Sequence, residues 1–164
     1  MAGSALITEQ APEFRAALPD GGALLGLDLG TQTIGTAFCD NGWRFASAGR
    51  TLPRGKFARD LSALHGLVAE RKVQGVVIGL PLNMDGTGGP RAQASRAYAR
   101  NLAQEAGGLA LPVLLWDERW STASAERAMI DQDMSRARRA TRIDSHAAAV
   151  ILQAAIDALT GGFV

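Results

Sequence analysis

Ala23-Leu24-Leu25-Gly26-Leu27-Asp28-Leu29-Gly30, running into Thr31-Gln32-Thr33 and then Ile34-Gly35-Thr36-Ala37-Phe38-Cys39, is the stretch on which the fold turns. Residues 23–29 are apolar at both parities, the mark of a strand buried on both faces. Gly30 to Thr33 supply a turn, and Ile34 to Cys39 read as a second strand. Asp40-Asn41-Gly42 is a hairpin signal, and a third strand is expected from Trp43 to about Ala48. Three successive strands joined by tight turns make an antiparallel meander.

Beyond the meander the period changes. Phe57, Leu61, Leu64, Leu67 and Val68 recur at helical spacing. Gly75 to Gly79 is a short buried strand, and residues 80–89 form a loop rich in Gly, Asn and Asp. Pro90 suits the first turn of a helix running to about Ala106, which Gly107-Gly108 stops. Val113 to Trp116 is a fifth strand. Ser121 or Thr122 can cap a helix running to about Met129. Residues 131–142 are polar and basic, and a last helix is expected from Ile143 to Leu159. The order β-β-β-α-β-α-β-α-α, with right-handed βα crossovers, predicts an α/β fold. Its five-stranded mixed sheet, a three-strand antiparallel meander plus two parallel strands, is flanked by helices. Residues 1–22, of mixed period and closed by Pro19-Asp20-Gly21-Gly22, read as an N-terminal appendage to a single domain over 23–164.

Composition narrows the class. The chain has 164 residues, enough for one domain at roughly 150 residues each. It is 47% hydrophobic and 20% charged, which excludes disordered and fibrous classes. No apolar run reaches the ~18 residues of a membrane span, so no membrane partner is expected. The single cysteine, Cys39, excludes an internal disulfide and a cysteine-based zinc site. With no secretory leader pattern at the N-terminus, the expected compartment is the cytoplasm. A net charge of +1 says nothing about nucleic acid, so only local clustering can.

Asp28 carries the most chemistry. It shares a strand face with Leu24 and Gly26, where an uncompensated carboxylate would cost several kcal/mol. A metal, an arginine or a helix N-terminus should offset it; alternatively, Asp28 simply opens the turn at Gly30. Asp117-Glu118-Arg119 follows the fifth strand, at the C-terminal strand ends where ligand crevices form. Alternation sends Asp117 and Glu118 to opposite faces, so one of them points toward Asp28 and Arg119 can neutralise the other. Asp144 opens the last helix and borders its packed face; a helix dipole also favours an acid there by ~0.3–1 kcal/mol without further role. Together, three acids at the ends of three elements resemble an oxygen-donor site for Mg²⁺ or Mn²⁺. Two such ions ~3.5–4 Å apart would clamp a reacting phosphodiester.

Candidate contacts to nucleic acid surround these acids. Thr31 lies in the turn beside Asp28, where backbone N–H and hydroxyl groups suit a phosphate oxygen. Asn83 and Asp85 head the long 80–89 loop, Arg91 follows it, and Arg119, after the fifth strand, is a further candidate contact. Arg136, Arg138, Arg139 and Arg142 put four arginines into eight residues next to Asp144, a concentrated and flexible run that can neutralise phosphates without reading sequence. Charged runs are otherwise commonly just solvated.

The motifs Leu25-Gly26-Leu27-Asp28-Leu29-Gly30 with Ile34-Gly35, Ile78-Gly79-Leu80-Pro81-Leu82-Asn83-Met84-Asp85-Gly86, Asp117-Glu118-Arg119 with Ser121-Thr122, and Ile143-Asp144 with Ala147-Ala148 and Ile151-Leu152 resemble the YqgF family, also called RuvX. They stand in the family's order and span Ala23 to Leu159. The resemblance implies a ribonuclease H-like fold and a metal-dependent nuclease that trims the 5′ end of the 16S ribosomal RNA precursor. It also implies, through fold similarity, Holliday junction resolution as the alternative. Asp28, Glu118 and Asp144 match the family's acidic residues and would be catalytic and hold Mg²⁺ or Mn²⁺. Gln32 stands where the family often has Lys or Arg, and His146 where a small or apolar residue is usual. Such a fold sets the first strand beside the fourth and the fifth beyond, so Glu118 starts ~10 Å across the sheet from Asp28.

The implied partners are structured RNA, precursor ribosomal RNA free or within the ribosomal particle, or branched DNA, acted on by a monomer or homodimer. Two further readings stay open. A nucleic-acid-binding module without activity would keep the arginines and lose the reason to bury the acids. An ATP-dependent sugar-kinase-like fold would use the Asp28 to Thr33 turn for phosphate, but it needs a second lobe that 164 residues do not provide.

Overall fold

The computed structural model describes residues 3–120 and 136–161, with side chains over 3–120 and 145–161. Its strands are β1 (Ile7–Thr8), β2 (Ala23–Leu29), β3 (Thr33–Cys39), β4 (Ser47–Ala48), β5 (Leu52–Pro53), β6 (Val73–Leu80) and β7 (Val113–Asp117). Its helices are α1 (Ala11–Ala17), α2 (Phe57–Arg71), α3 (Pro90–Ala103) and α4 (Arg136–Leu159). The sheet order is β1-β7-β6-β2-β3-β4, with β5 also paired to β3. β2 and β3 are antiparallel, whereas β2, β6 and β7 run parallel. This is the mixed sheet expected for an α/β, ribonuclease H-like fold, with β6 beside β2 and β7 beyond.

The leucine-rich strand β2 explains the layering. Leu25, Leu27 and Leu29 face a core shared with Leu64, Leu67, Tyr98 and Leu102 of α2 and α3. Leu24 faces the other way, into a core with Phe14, Ala147, Ala148, Ile151 and Leu152 of α1 and α4. The sheet is therefore buried on both faces. Gly26 lets α4 approach: a Cβ there would lie 2.9 Å from Leu152 Cβ and 3.2 Å from the Ala148 carbonyl oxygen.

Four expectations are corrected. The sheet has seven strands rather than five among the described residues. The third strand does not begin at Trp43, because Trp43 sits at φ 53° with its Nε1 donating to the Gly22 carbonyl at 2.7 Å. Instead, two short strands pair with β3 on either side of a bulge: Gly49-Arg50-Thr51 face only Gly35-Thr36. There Thr36 Oγ1 donates to the Arg50 carbonyl at 2.5 Å.

The segment 1–22, expected as an appendage, is built into the domain over its described part. Ile7 and Thr8 pair in parallel with Val113 and Leu114 at the sheet edge. Phe14 is 0% exposed. Arg15 Nη1 donates to the Leu159 carbonyl at 2.8 Å, at the C-terminus of α4. A two-residue strand and a seven-residue helix are too short to show a period.

The last helix starts at Arg136, not Ile143. Arg and Ala are strong helix formers, so the basic run is helical backbone rather than a flexible segment. The helix expected from Ser121 or Thr122 to Met129 lies outside the described residues. Among the described residues, no helix is long and apolar enough to cross a membrane.

Candidate active site

Sheet register places Asp28 between two glycines. Asp28 pairs with Gly35 of β3. On the other side, Leu27 pairs with Ile78, so one step further Asp28 is level with Gly79 of β6. Gly79 in turn pairs with Trp116 of β7. The row therefore carries no side chain immediately beside Asp28 on either flank. Asp28 itself is 3% exposed, so a charged carboxylate here must be compensated.

Glu118 fills the space above Gly79. It opens the 3-10 turn Glu118–Trp120 that ends β7. A Cβ built on Gly79 would stand 3.2 Å from Glu118 Oε2 and Cδ, and 2.7 Å from Ile151 Cδ1. The carboxylate thus reaches inward by one strand, on the α4 side of the sheet and toward Asp28. The ~10 Å offset expected between the two acids is shortened by that reach. Two oxygen donors, separated by a position where any side chain would intrude, make a cradle suited to a hard divalent cation.

The third acid, Asp144, lies on α4 one turn before Ala148, whose carbonyl oxygen lies 3.2 Å from the Cβ position of Gly26. Its side chain lies outside the described residues. The next residue, Ser145, is buried, with its hydroxyl 2.5 Å from Thr51 Oγ1. His146 is partly exposed on the same helix. Among the described residues, whose side chains do not include that of Asp144, no three His, Cys, Asp or Glu side chains form a group that could hold a metal.

Asp117 takes the opposite face, as alternation requires, and Arg119 neutralises it. Arg119 Nη2 lies 2.7 Å from Asp117 Oδ2, Nε donates to both carboxylate oxygens at 3.1 Å, and the Arg119 N–H bonds Oδ1 at 2.9 Å. Burial alone would raise the Asp117 carboxyl, but the hydrogen bonds and charge of Arg119 outweigh it and hold the group below its usual range. Arg119 Nη1 also donates to the Met84 carbonyl at 3.2 Å, which ties the 80–89 loop to the end of β7.

The other expected contact residues are dispersed. Asn83 is occupied within its own loop: Nδ2 donates to Thr87 Oγ1 at 2.9 Å, and Thr87 donates to Asp85 Oδ1 at 2.6 Å. Those bonds to Thr87, with Arg119 adding its charge, lower the Asp85 carboxyl. Thr31 and Arg91 meet at one cavity, beside the Leu29 to Thr31 turn. Arg136, Arg138, Arg139 and Arg142 are helical in backbone, and their side chains lie outside the described residues.

Sequence reasoning missed two residues. Gly79 is the opening that admits Glu118; its signal was a glycine inside an otherwise apolar strand, which marks close approach by another group. Arg54 joins the Leu29 to Thr31 turn by donating from Nη1 to the Gly30 carbonyl at 2.6 Å. It sits in the irregular link between β5 and α2, where no period singles it out.

A family model described as "RuvX: Holliday junction resolvase" matches residues 22–158. A Novosphingobium aromaticivorans protein named "Putative pre-16S rRNA nuclease" is 64% identical over 156 residues, covering 95% of this chain and 98% of that one. A Sphingopyxis alaskensis protein of the same name is 64% identical over 155 residues, covering 94% and 99%. One from Zymomonas mobilis is 53% identical over 144 residues, covering 88% and 86%. Among solved structures, "T. thermophilus RuvC in complex with Holliday junction substrate" aligns at 13% identity and a TM-score of 0.49, over 85% of this chain and 96% of that one. With its motifs in order and both the family model and these relatives matching along nearly its whole length, the chain belongs to the RuvX family.

Proposed function

We propose that this chain is a divalent-metal-dependent nuclease that hydrolyses phosphodiester bonds of structured RNA, with the 5′ end of the 16S ribosomal RNA precursor as its substrate. The observation that carries this reading is the Asp28–Gly79–Glu118 row, a buried acid and a second carboxylate converging over a bare strand position. Relatives named "Putative pre-16S rRNA nuclease", at 64% identity, support the substrate. Asp28, Glu118 and Asp144 would hold Mg²⁺ or Mn²⁺, which when bound lowers the pKa of water and stabilises charge on phosphoryl oxygens.

The chain's own residues supply placement. Burial of Asp28 beneath α4 fixes one donor in a dry wall. Gly35 and Gly79 add no side chain of their own beside Asp28, and the bare Gly79 position admits the Glu118 carboxylate at the C-terminal strand ends, where a phosphate would approach. Arg119, held by Asp117, anchors the 80–89 loop at the rim. Thr31, Arg91 and the helical run Arg136, Arg138, Arg139 and Arg142 would contact the backbone. Such contacts carry no sequence information, so selection falls on RNA shape and on the ribosomal particle that presents it.

The test is cleavage by the purified full chain of labelled precursor ribosomal RNA and of a four-way DNA junction, each with Mn²⁺ or with EDTA, by wild type and by Asp28→Asn. RNA cut near its 5′ end with Mn²⁺, lost with EDTA and reduced at least about 100-fold in the variant, is expected. Cleavage of the junction alone would reassign the substrate to branched DNA. Undiminished activity of Asp28→Asn would overturn the site.

A further inference from the structure

A cavity of about 180 Å³ opens at the C-terminal end of β2, on the α3 side of the sheet. Leu29, Gly30, Thr31, Arg54, Arg91 and Ser95 are among its lining residues, and among the described residues no carboxylate lines it. Two guanidinium groups are fixed at its wall by the turn that follows Asp28. Arg54 donates from Nη1 to the Gly30 carbonyl at 2.6 Å, and its backbone N–H bonds the Gln32 carbonyl at 2.9 Å. Arg91 donates from Nη2 to the Leu29 carbonyl at 3.3 Å. The Arg54 guanidinium also lies 5.3 Å from the centre of the Tyr98 ring, which backs it from the core side. An arginine carries five N–H donors, so a single carbonyl orients each group while leaving donors for a ligand.

The remaining walls share that polarity. Ser95, only 3% exposed, lines the cavity from α3. The first turn of α3 holds no acidic residue, and Gly89 gives it no side-chain cap, so the cationic end of the helix dipole is not neutralised locally. The lining of this cavity favours an anion, while the Asp60 carboxylate lies in the adjoining cavity, bonded by the Tyr98 hydroxyl. At about 180 Å³ the cavity is smaller than the roughly 300 Å³ of pockets that take a whole small molecule, which suits a single phosphate group and not a nucleotide with its base. A larger cavity of about 660 Å³ lies at the other end of β2, among Gly22, Cys39, Phe45 and Arg71, and is not bordered by the acids.

We propose that the Arg54–Arg91–Thr31–Ser95 cavity is a subsite for one phosphate group of the nucleic-acid strand, close to the one that is cut. The assignment rests on the nuclease reading. It adds that the strand crosses the C-terminal rim of the sheet, with the scissile phosphate on the α4 side at Asp28 and Glu118 and a neighbouring phosphate on the α3 side. Arg54 and Arg91 are positioning residues: they hold the strand, and the fork geometry of Arg54 rather than charge alone sets the grip.

The experiment is an amide NMR titration of the full chain in EDTA, where no cleavage can occur. The probes are inorganic phosphate, a short 5′-phosphorylated RNA and the same RNA with a 5′-hydroxyl. Saturable shifts at Gly30, Thr31 and Ser95 are expected, with binding weakened about tenfold by Arg54→Lys and by Arg91→Ala, and an unchanged Tm in at least the exposed Arg91→Ala. Tighter binding of the 5′-phosphorylated RNA assigns the subsite to a terminal monoester; equal binding assigns it to an internal diester, and either supports the subsite. In cleavage, KM should rise in both variants with kcat little changed. Phosphate shifts confined to residues 136–142, or wild-type affinity in both variants, overturns the subsite. A chain that cleaves RNA but lacks these shifts loses the subsite alone. A chain that shows the shifts and cleaves neither RNA nor junction loses the nuclease reading instead.

Discussion

The Glu118 carboxylate rests on the bare backbone of Gly79: a Cβ added there would lie 3.2 Å from Glu118 Oε2 and 2.7 Å from Ile151 Cδ1. The backbone of Gly79 is ordinary strand, so alanine is permitted conformationally and the clash alone decides the outcome. Ile151 Cδ1 is the free end of a side chain and can yield; Glu118 must yield away from Asp28. Gly79→Ala should therefore cost only about 1 to 2 kcal/mol of stability while cutting cleavage about tenfold or more. Thermal unfolding and the Mn²⁺-dependent cleavage rate, measured on the same preparation, check it. An active Gly79→Ala enzyme would show that Glu118 needs no access over that strand.

Gly26 plays the corresponding role for α4. Here the obstructing atoms are Leu152 Cβ at 2.9 Å and the Ala148 carbonyl oxygen at 3.2 Å, close to or part of the helix backbone, and neither can swing aside. Gly26→Ala must lift the helix off β2. A loss of about 2 to 3 kcal/mol is expected, which at this chain length corresponds to roughly 4–12 °C in Tm. Because Asp144 rides on the same helix one turn earlier, cleavage should fall as well, at temperatures where the variant is still folded. Circular dichroism melts alongside activity separate the two effects.

How far the sequence foretold this depends on the range of the forces involved. Strand β2 was legible because Leu24, Leu25, Leu27 and Leu29 are apolar on both faces, and the split of Asp117 from Glu118 followed from strand alternation alone. The convergence of Glu118 on Asp28 was legible only as a direction. The reach itself depends on Gly79, which belongs to a third strand. The break of the third meander strand at Gly49 hangs on a Thr36 hydroxyl bond to the Arg50 carbonyl, a tertiary contact without periodicity. Arg54 was invisible for the same reason: Arg54-Gly55-Lys56 is a link, and only folding brings it to the Gly30 carbonyl.

Arg119 should matter in a way that pH reveals. The Asp117 carboxyl is held below its usual range in the folded state, so the stabilisation it brings is present above the ordinary carboxylate pKa of about 3.9 and is lost as pH falls through the lower folded value. Arg119→Ala should melt below wild type at pH 7. The gap should close as pH drops below about 3.9 toward the folded value. The variant also loses the bond to the Met84 carbonyl, so amide exchange in residues 83–87 should speed up at neutral pH. A gap in Tm that is constant down to pH 2 would assign the effect to packing.

Cys39 is buried beside the N-terminal end of β2, and its thiol is pushed up to about 11, chiefly by burial, with a bond from Leu24 opposing and the charge of Asp40 adding. At pH 8 such a group is ionised in about one molecule in a thousand, against roughly a quarter for a free thiol. Native protein should therefore react with a disulfide reagent only at the rate at which it opens, and one thiol per chain should appear at once in denaturant. The linkage has a definite sign. The folded state keeps its proton longer than the unfolded one, so stability falls as pH rises from about 8.5 toward 11. Cys39→Ala removes that slope while keeping whatever Tyr98 contributes. Urea melts of both proteins from pH 8 to pH 10 should thus show wild type losing its advantage over the variant as pH rises, and parallel curves would show that the thiol is not desolvated in solution.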